Sequence, residues 1–256
     1  LIDRDRDAVT KPTEKLARAI KKAFAATAKS CAEQIGAIVN KADQDEVRRV
    51  LDSLDLSGIV VIHGDADAVL KAVVESGVAE ALAQIGIADD ESIVNLANPR
   101  ALAWAEARAA ELVGMKWVGG ELIPNPDASW RIDESTRELL RGFVAEAIDE
   151  GWSNDRLANE IADAFAFSDD RAEMIARTET AYADVAGNMT AYEESGIVEQ
   201  KRWILAQDKY CDDCAANAAS PPVPLRGTFP SGSYAPPEHP NCRCDVVPII
   251  IDDEED

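Results

Sequence analysis

The stretch that most limits how this chain can fold lies between positions 211 and 244. Four of the five cysteines and one of the two histidines fall within these 34 residues. They are ordered as Cys211-x2-Cys214, a gap of 24 residues, then His239-x2-Cys242-x-Cys244. The intervening sequence is rich in Pro and small side chains, offers little apolar surface to bury, and has to be tied at its ends. A C-x2-C step lets two thiolates converge on one metal from a tight turn, and H-x2-C supplies the opposite edge of a tetrahedron. Four ligands suffice for zinc, so Cys211, Cys214, His239 and Cys242 are the expected set. Cys244 is a substitute for His239, because a C-x-C pair points its side chains less readily at one ion. A structural zinc contributes on the order of 10 kcal/mol. Disulfides, or free thiols packed beneath the loop, remain as alternatives. The opening LIDRDRDAVTKPTEK lacks an apolar export core, which favours a reducing compartment, and with it metal or thiol over disulfide.

The remainder reads as helix. Hydrophobic residues make up 46% of the 256 residues but aromatics only 5%, and such an aromatic-poor, alanine-rich composition favours helices packed through small side chains. Leu16, Ile20, Phe24, Ala28, Cys31, Ile35 and Ile38 recur at helical spacing, which predicts a first helix from Pro12 to Lys41 with Pro12 in its first turn. Cys31 lies on that apolar stripe as a small buried hydrophobe. Val47, Val50, Leu51 and Leu54 predict a second helix. A third carries Val69, Val73, Val74, Val78 and Leu82, with His63 near its start as a structural hydrogen-bonder. Asn98-Pro99 predicts the start of a helix ending at Gly114. Gly119-Gly120 fits a tight hairpin turn.

Farther along, Asp133 or Ser135 opens a helix through Leu139, Leu140, Phe143 and Ile148, ended by Gly151. Ser153 caps a short helix, and Ser168 caps a long one over 169–195, ended by Gly196. KRWILAQD alternates as a strand, and a loop-rich stretch then leads to VVPIII. The fold class expected is mainly α with a small α+β C-terminal module: a helical body followed by a Cys/His-stapled, loop-rich β module. The divisions drawn are a helical N-terminal region at 1–114, a hairpin and linker at 115–132, and a helical core at 133–196. A strand plus Cys/His module at 197–248 and an acidic tail at 249–256 complete the chain.

The formal net charge is −22, which argues against a bulk surface that grips nucleic acid. The first thirty residues hold eight basic and four acidic side chains, so the rest carries −26. That basic arm suits an acidic partner, although a solvated helix face explains it too. No run of about 18 apolar residues exists, so no membrane partner is expected. A short-helix, turn, helix rhythm over 150–178 resembles a DNA-binding helix-turn-helix. Residues 133–179 nevertheless carry 13 acidic and five basic side chains, a surface that repels phosphates. Phosphate-loop, G-x-S-x-G and H-E-x-x-H signatures are missing. A non-enzymatic chain is expected, the alternatives being a metal-dependent nuclease with His239 as base and a zinc-containing DNA-binding protein.

The ARTE segment (Ala176, Arg177, Thr178, Glu179), the Trp203…Asp208 strand, Cys211-x2-Cys214, and Pro236-Pro237…His239-Pro240-Asn241-Cys242-Arg243-Cys244 follow one another in this order. Together they resemble the phage Mu F-like minor head proteins, also called head morphogenesis proteins, and that likeness implies packaged DNA as a partner of the basic first thirty residues. The likeness extends over about 98–248. It implies a minor component of a tailed-phage virion, located in the head interior and in the host cytoplasm during assembly. Portal protein and major capsid protein are the implied partners, with an influence on DNA packaging or ejection. Asp212 departs from the Pro often found after the first cysteine of the pair.

Residue roles follow from position. Glu173 stands four residues before Arg177, in the favourable orientation for an ion pair. Arg177 or Glu179 is expected to hydrogen-bond the C-terminal loop and lock the cysteine module onto the helix, the alternative being an ordinary surface pair. Trp203 is expected beneath the loop, and Arg243 either bonds backbone carbonyls or is exposed.

Overall fold

In the computed structural model, residues 6–36, 44–129, 131–152, 154–161, 163–207 and 210–250 are described. Among them are eight helices: α1 (Arg6–Gly36), α2 (Gln44–Ser53), α3 (Ile62–Gln84), α4 (Glu91–Leu112), α5 (Ile132–Asp149), α6 (Asn154–Ile161), α7 (Asp169–Ser195) and α8 (Asp212–Ala219). The strands are β1 (Met115–Val118), β2 (Glu121–Pro124), β3 (Val198–Ile204), β4 (Val223–Pro224) and β5 (Asp245–Ile250). The protein is mainly α with a small α+β C-terminal module. No described helix is long and apolar enough to cross a membrane. Ile38, Lys41, Ser153, Asp208 and the acidic tail from 251 lie outside the described residues.

Two helix starts differ from the sequence expectation, for one reason. Pro12 and Pro99 both sit inside longer helices, α1 and α4. Each removes one backbone donor and crowds the carbonyl four residues before it, yet proline's fixed φ is close to the helical value and the helix runs on through both positions. The start of α4 is set by Asp90, whose Oδ1 accepts from the Ser92 and Ile93 backbone N–H groups, the N-cap pattern. At the other ends, Gly114, Gly151 and Gly196 adopt φ of +74°, +67° and +68°, the left-handed C-terminal signal. Gly119 and Gly120, both at positive φ, turn β1 into β2, with Val118 opposite Glu121.

The chain divides into two compact units. One comprises Glu14–Asp67 and Ala107–Glu173. Its core takes Leu16, Ile20, Phe24, Cys31 and Ile35 from α1, all fully or almost fully buried, together with Leu140, Val144, Leu157, Ile161 and Phe167. Leu139, one turn face away, is exposed. Phe24 and Phe167 meet edge to face at 6.0 Å. The Arg171 guanidinium lies over Phe24 at 4.9 Å and donates to Thr136 Oγ1 (2.9 Å), Ser135 Oγ (2.8 Å) and the carbonyls of Ala166 and Ile132. His63 stacks on Trp117 with centroids 5.9 Å apart, and its buried Nε2 has no hydrogen-bond partner. Stacking, rather than the hydrogen bond expected, holds this ring.

The other unit comprises Leu1–Thr13, Ala68–Glu106 and Met174–Asp256. Here α3 contributes Val69, Leu70, Val73, Val74, Val78 and Leu82, and α4 contributes the alanine row Ala97, Ala101 and Ala105. Small residues permit close approach: an added Cβ at Gly187 of α7 would lie 2.4 Å from the Val74 carbonyl oxygen and 3.1 Å from Gly77 Cα. After α7 the chain enters β3, the centre of a three-stranded antiparallel sheet in the order β4-β3-β5. The pairs Trp203↔Val246 and Ile204↔Asp245 set its register with β5. The described residues between Ile204 and Asp245 form an excursion that leaves at the end of β3, lays β4 along the other edge of that strand, and rejoins the sheet at β5.

Candidate metal centre

The excursion carries every donor of the cysteine–histidine cluster. Its first part is not loop, as the sequence suggested, but the helix α8, which Cys211 caps. The Cys211 side chain accepts from the Cys214 N–H at 3.4 Å. Sulfur here takes the place of the usual Ser or Asp oxygen. Cys214 then points inward from the first turn and is fully buried.

The second pair comes from a turn closed by the Cys242 N–H donating to the His239 carbonyl at 3.0 Å. Cys214 Sγ stands 3.7 Å from His239 Nε2 and 3.7 Å from Cys242 Sγ. Zinc–sulfur bonds of about 2.3 Å in a tetrahedron put neighbouring sulfurs about 3.8 Å apart, so these separations suit ligands of one ion. Two overlapping triads result, Cys211–Cys214–His239 and Cys214–Cys242–Cys244, each with its donor atoms within 4.8 Å of one another. Cys214 is common to both. All five cysteines are free thiols.

The His239 tautomer follows from its neighbour. Nδ1 lies 2.8 Å from the Pro240 carbonyl oxygen, which can only accept. Nδ1 therefore carries the hydrogen, and the lone pair of the neutral ring is on Nε2, facing Cys214. A second hydrogen bond of this kind is what orients metal-binding histidines.

The sulfurs are electrostatically unequal. The Cys242 thiol is lowered to about 5, first by a hydrogen bond from Cys244 and then, against burial, by the backbone N–H groups of Cys244 and Glu238. Cys244 is pushed up, first by that same bond and then by burial. Burial, and then the contact with Cys211, pushes Cys214 up to about 12. Three crowded thiols cannot all ionise without a cation. The donor set therefore fits a divalent, thiolate-preferring metal.

Around the donors, Trp203, Ala206, Phe229, Cys214, Cys242 and Cys244 form one buried cluster. Trp203 is 1% exposed and meets Phe229 edge to face at 5.0 Å. Asn217 of α8 clamps the loop: its Nδ2 donates to Ser231 Oγ (2.9 Å) and its Oδ1 accepts from the Ser231 N–H (3.0 Å). Sequence reasoning missed Asn217, Phe229, Tyr234 and Lys201. Lys201 is fully buried, its Nζ has no hydrogen-bond partner, and it lies 3.3 Å from the centre of the Tyr234 ring. The signal for it was available, since positions 201 and 203 share a face of β3.

The ARTE segment lies on α7. Arg177 does not pair with Glu173, which instead binds Lys21 at 2.7 Å. Arg177 Nη1 donates to Asn241 Oδ1 at 2.9 Å, and the Asn241 N–H donates to Thr178 Oγ1 at 3.0 Å. Glu179 is buried, and Arg243 is exposed. Asp208 is outside the described residues.

Residues 139–247 match the family model described as Phage Mu protein F like protein. The segment that builds the cysteine–histidine centre and the helices leading into it is thus similar to phage Mu F-like proteins. The match begins later than the sequence likeness suggested, at 139 rather than 98. No curated protein and no solved structure matches the chain.

Proposed function

We propose that this chain is a minor head protein of a tailed bacteriophage, with a structural and interaction role in the head interior near the portal. In this reading the protein works without catalytic turnover, associates with portal and major capsid protein during assembly in the host cytoplasm, and aids DNA packaging or ejection. The ion that staples its C-terminal module is zinc. The observation that carries the metal assignment is the pair of triads meeting at Cys214, with separations suited to a tetrahedral thiolate site. The family match supports the phage role.

The first helix supports a polyanion contact. Lys15, Arg18, Lys22 and Lys29 of α1 are exposed, and their spacing of three, four and seven places them on one helical face. Lys21 is turned away, paired with Glu173 and Asp169. This face would meet packaged DNA or an acidic coat surface.

Elemental analysis of the purified chain by mass spectrometry is expected to find zinc, lost in Cys214→Ser, which removes the shared sulfur. Cys211→Ser and Cys244→Ser each leave one triad and lose only part. A metal-free wild type, or a Cys214→Ser variant with full occupancy, refutes the staple. Co-purification with portal protein tests the role, and association that weakens with salt and disappears on removing residues 1–30 tests the basic face.

A further inference from the structure

His239 and Cys242 approach the metal centre from a turn whose middle residues are Pro240 and Asn241. Asn241 has φ +61°, the left-handed region that non-glycine residues hold only with support from their surroundings. That support comes from two consecutive residues of α7. Arg177 donates to the Asn241 side-chain oxygen, and Thr178 Oγ1 accepts the Asn241 N–H. Thr178 is itself oriented, because its hydroxyl hydrogen goes to the Met174 carbonyl at 2.7 Å and leaves its lone pairs for Asn241. Asn241 is next in sequence to Cys242, and its other neighbour, Pro240, supplies the carbonyl that orients the His239 ring. A rotation of the Asn241 backbone would therefore move both donors at once.

We propose that Arg177 and Thr178 are positioning residues of the metal centre: by fixing Asn241 in its left-handed conformation they hold His239 Nε2 and Cys242 Sγ at the separation from Cys214 that one ion requires. This rests on the metal reading above. It gives the ARTE segment a role in metal affinity rather than in helix packing alone. By linkage, an ion bound at the centre strengthens the docking of the turn on α7 to the same extent.

The test uses the full chain, with Zn2+ affinity measured by chelator competition and Co2+ absorption as a probe of ligand geometry. Arg177→Ala is expected to weaken Zn2+ binding about tenfold, the range for groups that orient metal ligands, and to change the Co2+ band shape. Arg202→Ala, an exposed cation on β3, is expected to change neither. Asn241→Gly keeps the left-handed backbone accessible but removes the acceptor for Arg177. Its loss should equal that of Arg177→Ala, and the double variant should lose no more. Thr178→Val, which keeps the shape and removes the lone pairs, carries the same expectation should Arg177→Ala fail to fold. Zn2+ affinity unchanged in these variants, or losses that simply add, overturns the proposal while leaving the metal reading in place. A wild type that binds neither Zn2+ nor Co2+ overturns both.

Discussion

Replacing Gly187 by alanine should destabilise the protein although alanine is the better helix former. An added Cβ would stand 2.4 Å from the Val74 carbonyl oxygen, 3.0 Å from the Val78 nitrogen and 3.1 Å from Gly77 Cα. All three are backbone atoms, so no rotamer change relieves the overlap, and α3 and α7 must separate by about 1 Å to restore ordinary contact near 3.4 Å. Overpacking of this kind costs about 1–3 kcal/mol, and with backbone on both sides the upper end applies. Against it stands the helix-propensity gain of about 1 kcal/mol for Gly→Ala. The net loss of about 2 kcal/mol corresponds to a melting temperature lower by about 4–8 °C for a chain of this size. Gly77→Ala meets the same crossing, 2.6 Å from the Asp184 carbonyl oxygen. The double variant should therefore cost less than the sum of the two singles. Gly142 of α5 is the control, exposed and with nothing within 4 Å of its added Cβ, so Gly142→Ala should gain about 1 kcal/mol. Thermal unfolding followed by circular dichroism reads all four. A Gly187→Ala protein that melts at or above the wild-type temperature would falsify the close helix crossing.

Other perturbations address buried charge and the metal. Burial lowers Lys201 from 10.5 to about 8, partly opposed by Glu193. The unfolded chain thus binds this proton more tightly than the folded one, and the stability cost is complete below pH 8 and relieved as pH rises toward 10.5. Lys201→Met should stabilise the protein at pH 7 by about 1–3 kcal/mol, less whatever the Tyr234 contact contributes, with the difference shrinking by pH 10; equal denaturation midpoints for both proteins at pH 7 would sink this. Arg171→Ala strips donors from two hydroxyls and two carbonyls and opens a void beside Phe24. It should cost about 3 kcal/mol in urea unfolding, with no rescue by lysine, which lacks the planar fork. Chelator treatment of the zinc-loaded protein should lower the melting temperature of wild type but leave Cys214→Ser unmoved, and an identical drop in both would dissociate the effect from the cluster.

Signals confined to a few neighbouring residues were legible in the sequence. Gly114, Gly196 and the Gly119-Gly120 turn stand where the chain takes up positive φ, and Ser168 caps α7 by accepting the Arg171 N–H at its Oγ. The apolar stripe of α1 was readable for the same reason. Misreadings arose where one local signal had two meanings. Pro12 and Pro99 mark helix starts only if no helix has begun, and the Asp90 cap that began α4 lies nine residues before Pro99. The clustering of Cys211, Cys214, His239, Cys242 and Cys244 was visible as spacing, whereas Cys211 as a helix cap was not, since cysteine seldom serves there. Lys201 carries no such local mark, because lysine on a strand is ordinarily exposed. The backbone contact at Gly77 and Gly187 joins residues more than a hundred positions apart, and no periodicity announces it. Arg177 was singled out from its motif, but its acceptor, Asn241, belongs to a turn that only the folded chain brings to α7.

The pairing of Ile204 with Asp245 has a consequence for how the molecule could diversify. The segment between them departs and returns at facing positions on adjacent strands, but it also lays β4 along the other edge of β3 and covers Trp203 with Phe229 and the cysteines. A replacement insert would be tolerated only where it supplied that edge strand and that cover.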